Sequence, residues 1–191
     1  MVCATFNFRG CGLSEGNIDM RGWYDDLGAV MEAVFDSPHG IDLKSIHCIG
    51  FSAGGAIAAK FSAYEERVSS LLLMATPHNF ADILPKDAKL LRDHFIGIGT
   101  IRDHTFPPDL TQWYKDFLDV KPAKFLPLIS PRPVGIVHGE NDTTVPPEHA
   151  RLLFESANHP KKLTILDGAG HQLRKDARTE QIIRSWLNEV G

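Results

Sequence analysis

A chain of 191 residues, 43% hydrophobic and 23% charged, suits one globular domain with a sizeable buried core. Its formal net charge of −4 and the lack of any basic run exclude an electrostatic case for nucleic acid or an anionic membrane surface. The longest apolar runs, such as Leu71-Leu72-Leu73-Met74-Ala75, are far too short to span a bilayer.

Taken in chain order, residues 2–8 read as a strand, and three glycines within Arg9-Gly10-Cys11-Gly12-Leu13-Ser14-Glu15-Gly16 mark a tight loop after it. Asp19 is placed to cap a helix whose apolar residues Trp23, Leu27, Val30, Met31 and Val34 recur at helical spacing, with Ser37-Pro38-His39-Gly40 as its stop. Ser45-Ile46-His47-Cys48-Ile49 reads as a strand, residues 53–63 as a small-residue helix, and residues 68–75 as a second buried strand. Continuous apolar strands alternating with helices predict a mostly parallel sheet covered on both faces.

The alternation breaks over 76–131. Residues 86–95 predict a helix with Leu90, Leu91 and Phe95 on one side. Pro107-Pro108 opens another, carrying Leu110, Trp113, Tyr114, Phe117 and Leu118. So long and aromatic a connection suggests a helical cap, although ordinary core packing explains the same residues. Strand and helix then alternate again: a strand over 134–138, a helix over about 147–157, a strand over 162–166, and a closing helix with Ile182, Ile183, Trp186, Leu187 and Val190 on one stripe. The expectation is a single domain, 1–191, with 76–131 inserted as the cap.

Chemistry concentrates at three turns after strands. Gly50-Phe51-Ser52-Ala53-Gly54 has the form of a nucleophile elbow, in which a sharp strand-to-helix turn exposes a serine hydroxyl. Asp142 follows the strand over 134–138, and His171 follows the last strand, in Gly168-Ala169-Gly170-His171. In a parallel sheet such carboxyl-end residues gather at one rim. A serine needs a base to take its proton, and that base needs a group to fix its tautomer, which are the roles available to His171 and Asp142. Rival readings exist for each. Asp142 also suits an Asx-turn, Glu140 and Asp167 are alternative acids, and His171 is one of nine histidines. His138 reads as packing at a strand end, and His47 and His78 are weaker candidates still.

The order serine, acid, histidine, with His138-Gly139-Glu140-Asn141-Asp142-Thr143-Thr144-Val145-Pro146 as the acid loop, resembles the α/β-hydrolase superfamily. Asn7-Phe8-Arg9-Gly10-Cys11-Gly12-Leu13-Ser14 is similar to that superfamily's loop after its fourth strand. The likeness is to its small esterase and dienelactone-hydrolase-like or peptidase-like branches. It implies an acyl-enzyme mechanism with Ser52, Asp142 and His171 as the triad and the Ala53 N–H as one oxyanion donor.

The chain departs from the family at its start, because the pattern has three strands before the one leading to Arg9. The third strand and its oxyanion loop normally lie beside the elbow strand. Three arrangements accommodate this: a longer parent protein, a first strand shifted beside the elbow strand with Gly10 and Cys11 as substitute oxyanion donors, or a homodimer completing the sheet edge. The resulting expectation is a serine carboxylesterase, slowed if a donor is missing, with a thioesterase or peptidase, or a feeble binding scaffold, as alternatives. Phe51, Phe80, Trp113 and Phe117 are candidates to line an acyl pocket. No metal-ligand cluster or dinucleotide loop is evident, so neither metal nor cofactor is expected, and the substrate would be a small-molecule ester. Cys3, Cys11 and Cys48 lack metal spacing, and no basic-then-apolar leader is visible. Both features point to reduced thiols and a cytoplasmic setting.

Overall fold

The computed structural model describes residues 2–36 and 40–191. Its helices and strands run α1 (Met20–Phe35), β1 (Ile46–Phe51), α2 (Ala53–Tyr64), β2 (Val68–Met74), α3 (Ala88–Gly97), α4 (Leu110–Asp119), α5 (Pro122–Phe125), β3 (Val134–Gly139), α6 (Glu148–Ser156), β4 (Lys161–Leu166) and α7 (Arg178–Val190). The helix stop expected at Ser37-Pro38-His39-Gly40 lies, except for Gly40, outside the described residues. Two compact units emerge, one of Met1–Ile41 with Phe80–Val120 and the other of Asp42–Asn79 with Lys121–Gly191. The segment 76–131 is thus divided, with 80–120 in the first unit and 76–79 and 121–131 in the second.

The second unit holds the sheet, four parallel strands in the order β1-β2-β3-β4. β2 and β3 are its interior strands, and their runs Leu71-Leu72-Leu73-Met74 and Val134-Gly135-Ile136-Val137 are buried without alternation. That is the pattern of strands covered on both faces. Leu72, Met74, Val137 and Leu166 pack with Trp186 of α7, and Ile182, Ile183, Leu187 and Val190 join them. The stripe expected on the closing helix is therefore the one that docks. α2 packs on β1 and β2, and its approach is close enough that side chains at two positions are excluded. A Cβ on Gly50 would lie 2.4 Å from the Gly55 Cα, and one on Gly55 would lie 2.0 Å from the Thr76 hydroxyl.

Arg132 ties the far end of this unit together. Its guanidinium donates to the carbonyls of Ser62, Glu65, Val68 and Ile129 at 2.7, 2.8, 2.9 and 3.1 Å. The first two belong to the end of α2, where carbonyls have no partner within the helix.

The first unit is built on α1, α3 and α4. Asp19, Asp87 and Asp109 each cap a helix start, accepting N–H groups of the following turn. Its interior is aromatic. The rings of Trp113 and Phe117 lie 5.0 Å apart, Phe95 stacks on Phe117 at 5.6 Å, and Phe80 meets Phe117 edge-on at 6.1 Å. Trp113, fully surrounded, still satisfies its indole N–H on the Ile18 carbonyl at 2.9 Å. Of the apolar side expected over 86–95, Leu91 is buried while Leu90 is 61% exposed, because the buried stripe follows Leu91 and Phe95 four residues apart.

The strand expected over 2–8 is not formed. Residues 2–7 are irregular and exposed, and among the described residues β1 pairs with β2 alone, at the edge of the sheet. The proposed shift of residues 2–8 to a place beside the elbow strand is therefore wrong. A strand exists through its ladder of hydrogen bonds to a neighbour, and an apolar pattern cannot supply that neighbour. Phe8 instead stacks on Trp23 of α1, with centroids 4.5 Å apart and planes 11° from parallel.

Candidate active site

β1 delivers Ser52 to the head of α2 through a turn that leaves it at φ 50° and ψ −126°. Only two non-glycine residues among those described have positive φ, Ser52 and Ala75, and Ala75 directly follows the neighbouring strand β2. Such a conformation costs about 1–3 kcal/mol and persists only where the surroundings enforce it. Here the Ser52 N–H donates to the Met74 carbonyl at 2.8 Å, and the Ser52 carbonyl accepts from Gly55 at 3.0 Å. The crowded glycine on the helix side is Gly55, one position beyond the Gly-x-Ser-x-Gly pattern. Ala53 opens α2, where the first N–H groups have no partner within the helix.

The other two residues come from loops that are fastened to each other. After β3, the Glu140 N–H donates to the Leu166 carbonyl at 3.0 Å and the Asn141 N–H to the Ala169 carbonyl at 2.8 Å. Gly139 makes this possible, because a Cβ there would sit 2.4 Å from the Ala169 oxygen. The result brings Asp142 and His171 together with Ser52. His171 Nδ1 lies 2.8 Å from Asp142 Oδ2, and His171 Nε2 lies 3.0 Å from Ser52 Oγ. A carboxylate oxygen can only accept, so Nδ1 carries the proton. Nε2 is then left to accept from the serine hydroxyl.

Asp142 is wholly buried at its side chain, whereas His171 is 19% exposed. The other Asp142 oxygen, Oδ1, accepts the N–H groups of Thr144 at 2.9 Å and Val145 at 2.8 Å. Asx-turn and histidine partner, set against each other as rival readings of this aspartate, are both present, one on each oxygen. Glu140 and Asp167 are exposed, and Glu140 accepts a long bond from the Gly168 N–H at 3.4 Å. His47 is held between Ser70 Oγ at 2.8 Å and Ser45 Oγ at 3.0 Å, and burial lowers its pKa. His78 donates its backbone N–H to His149 Nδ1 at 3.1 Å.

Phe51 is half-buried against the sheet core around Leu72 and Trp186. Phe80, Trp113 and Phe117 form the interior of the first unit and are 4%, 4% and 1% exposed. Gly10 and Cys11 lie in the first unit, and both of their N–H groups are engaged locally. Gly10 donates to the Glu15 carbonyl and Cys11 to the Phe8 carbonyl, each at 2.9 Å. Arg102 closes this loop from outside by donating to the carbonyls of Gly12 and Ser14 at 2.8 and 2.6 Å. Burial pushes the Cys11 thiol up, and pushes Cys48 up to about 11, so neither favours a thiolate. Among the described residues no helix is long and apolar enough to cross a membrane.

A four-stranded parallel sheet with a serine at its strand-to-helix elbow defines the class, and comparison with known proteins agrees. The family model described as alpha/beta hydrolase fold matches residues 3–128, well over half of the chain, and the chain belongs to that family. The Escherichia coli O157:H7 protein YfhR is 24% identical over 168 residues, covering 87% of this chain and 51% of YfhR. The chain spans between 51% and 61% of the length of the curated relatives it matches. Among solved structures, the α/β hydrolase GrgF of Penicillium sp. sh18 is similar with a TM-score of 0.72 and 23% identity, covering 96% of this chain and 77% of GrgF. A thermophilic esterase of Thermogutta terrifontis gives 0.65 and 23%, over 96% of this chain and 78% of the esterase. At these identities the likeness speaks for the fold.

Proposed function

We propose that this protein is a serine hydrolase that cleaves carboxylic esters through an acyl-enzyme. Ser52 Oγ attacks the ester carbonyl while His171 Nε2 takes its proton, and the bond to the leaving alkoxide breaks as His171 returns that proton to it. Water, activated by the same imidazole, then releases the acid and regenerates Ser52. Asp142 holds the imidazole tautomer and stabilises its cationic form. The observation that carries this reading is the continuous relay from Ser52 Oγ through His171 to Asp142, at 3.0 and 2.8 Å. The strained backbone at Ser52 supports it, since strain of this kind gathers at functional turns. Neighbours named as an esterase and a monoacylglycerol lipase favour an ester over an amide.

The Ala53 N–H supplies one oxyanion donor in this reading. The N–H groups of Gly10 and Cys11, the other candidates, are held in turn hydrogen bonds of their own loop. The unpaired thiols Cys3, Cys11 and Cys48 favour a reducing, cytoplasmic setting. The outer edge of β1, which pairs with no strand among the described residues, we assign to a second copy of the chain.

A fluorophosphonate probe should label the parent protein at Ser52 and leave Ser52→Ala unlabelled. Label that survives the substitution, or never forms, would overturn the assignment. Aryl esters from acetate to octanoate, set beside a thioester and an aryl amide, should show turnover confined to the esters.

A further inference from the structure

We infer that His138 is a positioning residue for this hydrolysis, its Nε2–H anchored on the Val145 carbonyl and set close against the same Asp142 oxygen that receives His171. The inference rests on the serine-hydrolase reading of the site. His138 is the penultimate residue of β3, and its side chain is wholly buried, as is that of Asp142. Its Nε2 lies 2.8 Å from the Val145 carbonyl oxygen and 3.2 Å from Asp142 Oδ2. A carbonyl can only accept, so the proton is on Nε2 and is given to Val145, with Asp142 Oδ2 close enough to feel its positive edge.

The other ring nitrogen agrees with this tautomer. His138 Nδ1 is buried without a hydrogen-bond partner. A bare lone pair tolerates that better than an N–H would, so the ring is neutral and protonated at Nε2 alone. Burial also lowers the His138 pKa, in the same direction. The groups acting on its charge are Asp142, on its own loop, and His171, on the loop after β4. Glu140, between His138 and Asp142 in the chain, is exposed and turned to the Gly168 N–H.

Asp142 therefore accepts at both oxygens, from Thr144 and Val145 on Oδ1 and from His171 on Oδ2, and His138 Nε2 lies 3.2 Å from that second oxygen. The donors on Oδ1 belong to the aspartate's own turn and fix it locally. His138 is different, because it sets its N–H from the end of β3, an interior strand, against the catalytic oxygen. It also competes with His171 for the charge on Oδ2. Removing it leaves His171 with a stronger acceptor and a higher proton affinity, and leaves the carboxylate less firmly aimed. A residue that only filled space at the strand end would need its ring but not its N–H.

That difference sets the experiment. His138→Phe keeps a ring and loses the N–H, while His138→Gln loses the ring and keeps an amide N–H within reach. Each is compared with the parent for kcat and KM on an aryl ester and for the pH dependence of kcat/KM. Fluorophosphonate labelling rate and the downfield proton resonance of His171 Nδ1–H are measured alongside. The expected result for His138→Phe is a kcat lower by about tenfold with KM unchanged. The acidic limb of kcat/KM should move to higher pH, the His171 resonance should shift, and His138→Gln should recover most of the loss.

Phe and Gln variants that behave alike, either both at the parent rate or both equally slowed with no change in limb or resonance, would reduce His138 to packing. If His138→Phe does not fold, His138→Met against His138→Gln makes the same comparison. Failure of the hydrolase reading looks different, since the parent itself would neither label nor turn over. The His171 resonance would still report whether His138 governs the aspartate–histidine bond.

Discussion

Alanine at Gly139 should disable catalysis far more than it destabilises the fold. Its Cβ would lie 2.4 Å from the Ala169 carbonyl oxygen and 2.6 Å from that of Gly170. Ordinary contact begins at 3.4 Å, so the loop carrying His171 must retreat by 3.4 − 2.4, about 1 Å. Both obstacles are backbone atoms and cannot rotate aside as a side chain could. The retreat pulls on the Asn141–Ala169 bond and on the His171–Asp142 bond, each 2.8 Å long. A misplacement of about 1 Å at a reacting group costs about 10²-fold in rate, while overpacking of this size costs about 1–3 kcal/mol of stability.

Gly135→Ala is the matched control. Its Cβ, near the other end of β3, would meet Leu72 Cδ1 at 2.6 Å and the Trp186 ring at 3.1 Å, which are side chains of β2 and α7. A comparable loss of stability is expected there with kcat unchanged. The assay is kcat on an aryl acetate and fluorophosphonate labelling rate, beside thermal melting, for both variants. A Gly139→Ala protein within about threefold of the parent rate, or equal rate losses in both variants, would refute the fastening of the two loops as the source of alignment.

Arg132→Met should lower stability by about 2–4 kcal/mol, since carbonyls at the end of α2 and the start of β2 lose a charged donor. Hydrogen exchange should quicken over residues 62–68, and an unchanged melting temperature would show that water replaces the guanidinium without loss. For the open edge of β1, sedimentation velocity should give a dimer at micromolar concentration. A monomer at every concentration removes the second copy.

What could be read in the sequence was whatever depends on residue type at a fixed place in the strand–helix alternation. Ser52, Asp142 and His171 stand after β1, β3 and β4 because a parallel sheet sends all its strand ends to one rim. The stripe on α7 was legible for the same reason, since Trp186 and its neighbours keep the period of a helix face. Less legible were features that depend on a partner from elsewhere in the chain. Residues 2–8 carry a strand's apolar character without a ladder to join. Gly139 looks like any turn glycine until the Ala169 carbonyl is set beside it, and Gly55 until Thr76 is. His138 was read as a strand-end residue, which it is, but nothing local showed that its N–H faces Asp142. A histidine four residues before a candidate acid, at the end of a fully apolar strand, was the one available signal.

The Gly10–Cys11 loop illustrates the limit from the other side. The sequence offers Gly10 and Cys11 as substitute oxyanion donors in a tight loop, yet Gly10 and Gly12 have φ of 77° and 54°, the conformations that turn the loop back on itself. That turning consumes the N–H groups of Gly10, Cys11 and Ser14 on the Glu15, Phe8 and Cys11 carbonyls. Arg9 is gripped by Asp26 through paired contacts of 2.6 and 3.0 Å, and its carbonyl takes the Trp23 indole N–H at 3.0 Å. Those contacts depress the Asp26 pKa in spite of the burial that opposes them. A loop so closed is a poor reserve of donors, because each N–H offered to an oxyanion must first leave a carbonyl inside the loop. Ala53, at the free head of α2, carries no such obligation. Oxyanion stabilisation in this site should therefore rest first on α2, and the loop glycines owe their place to the turn they make.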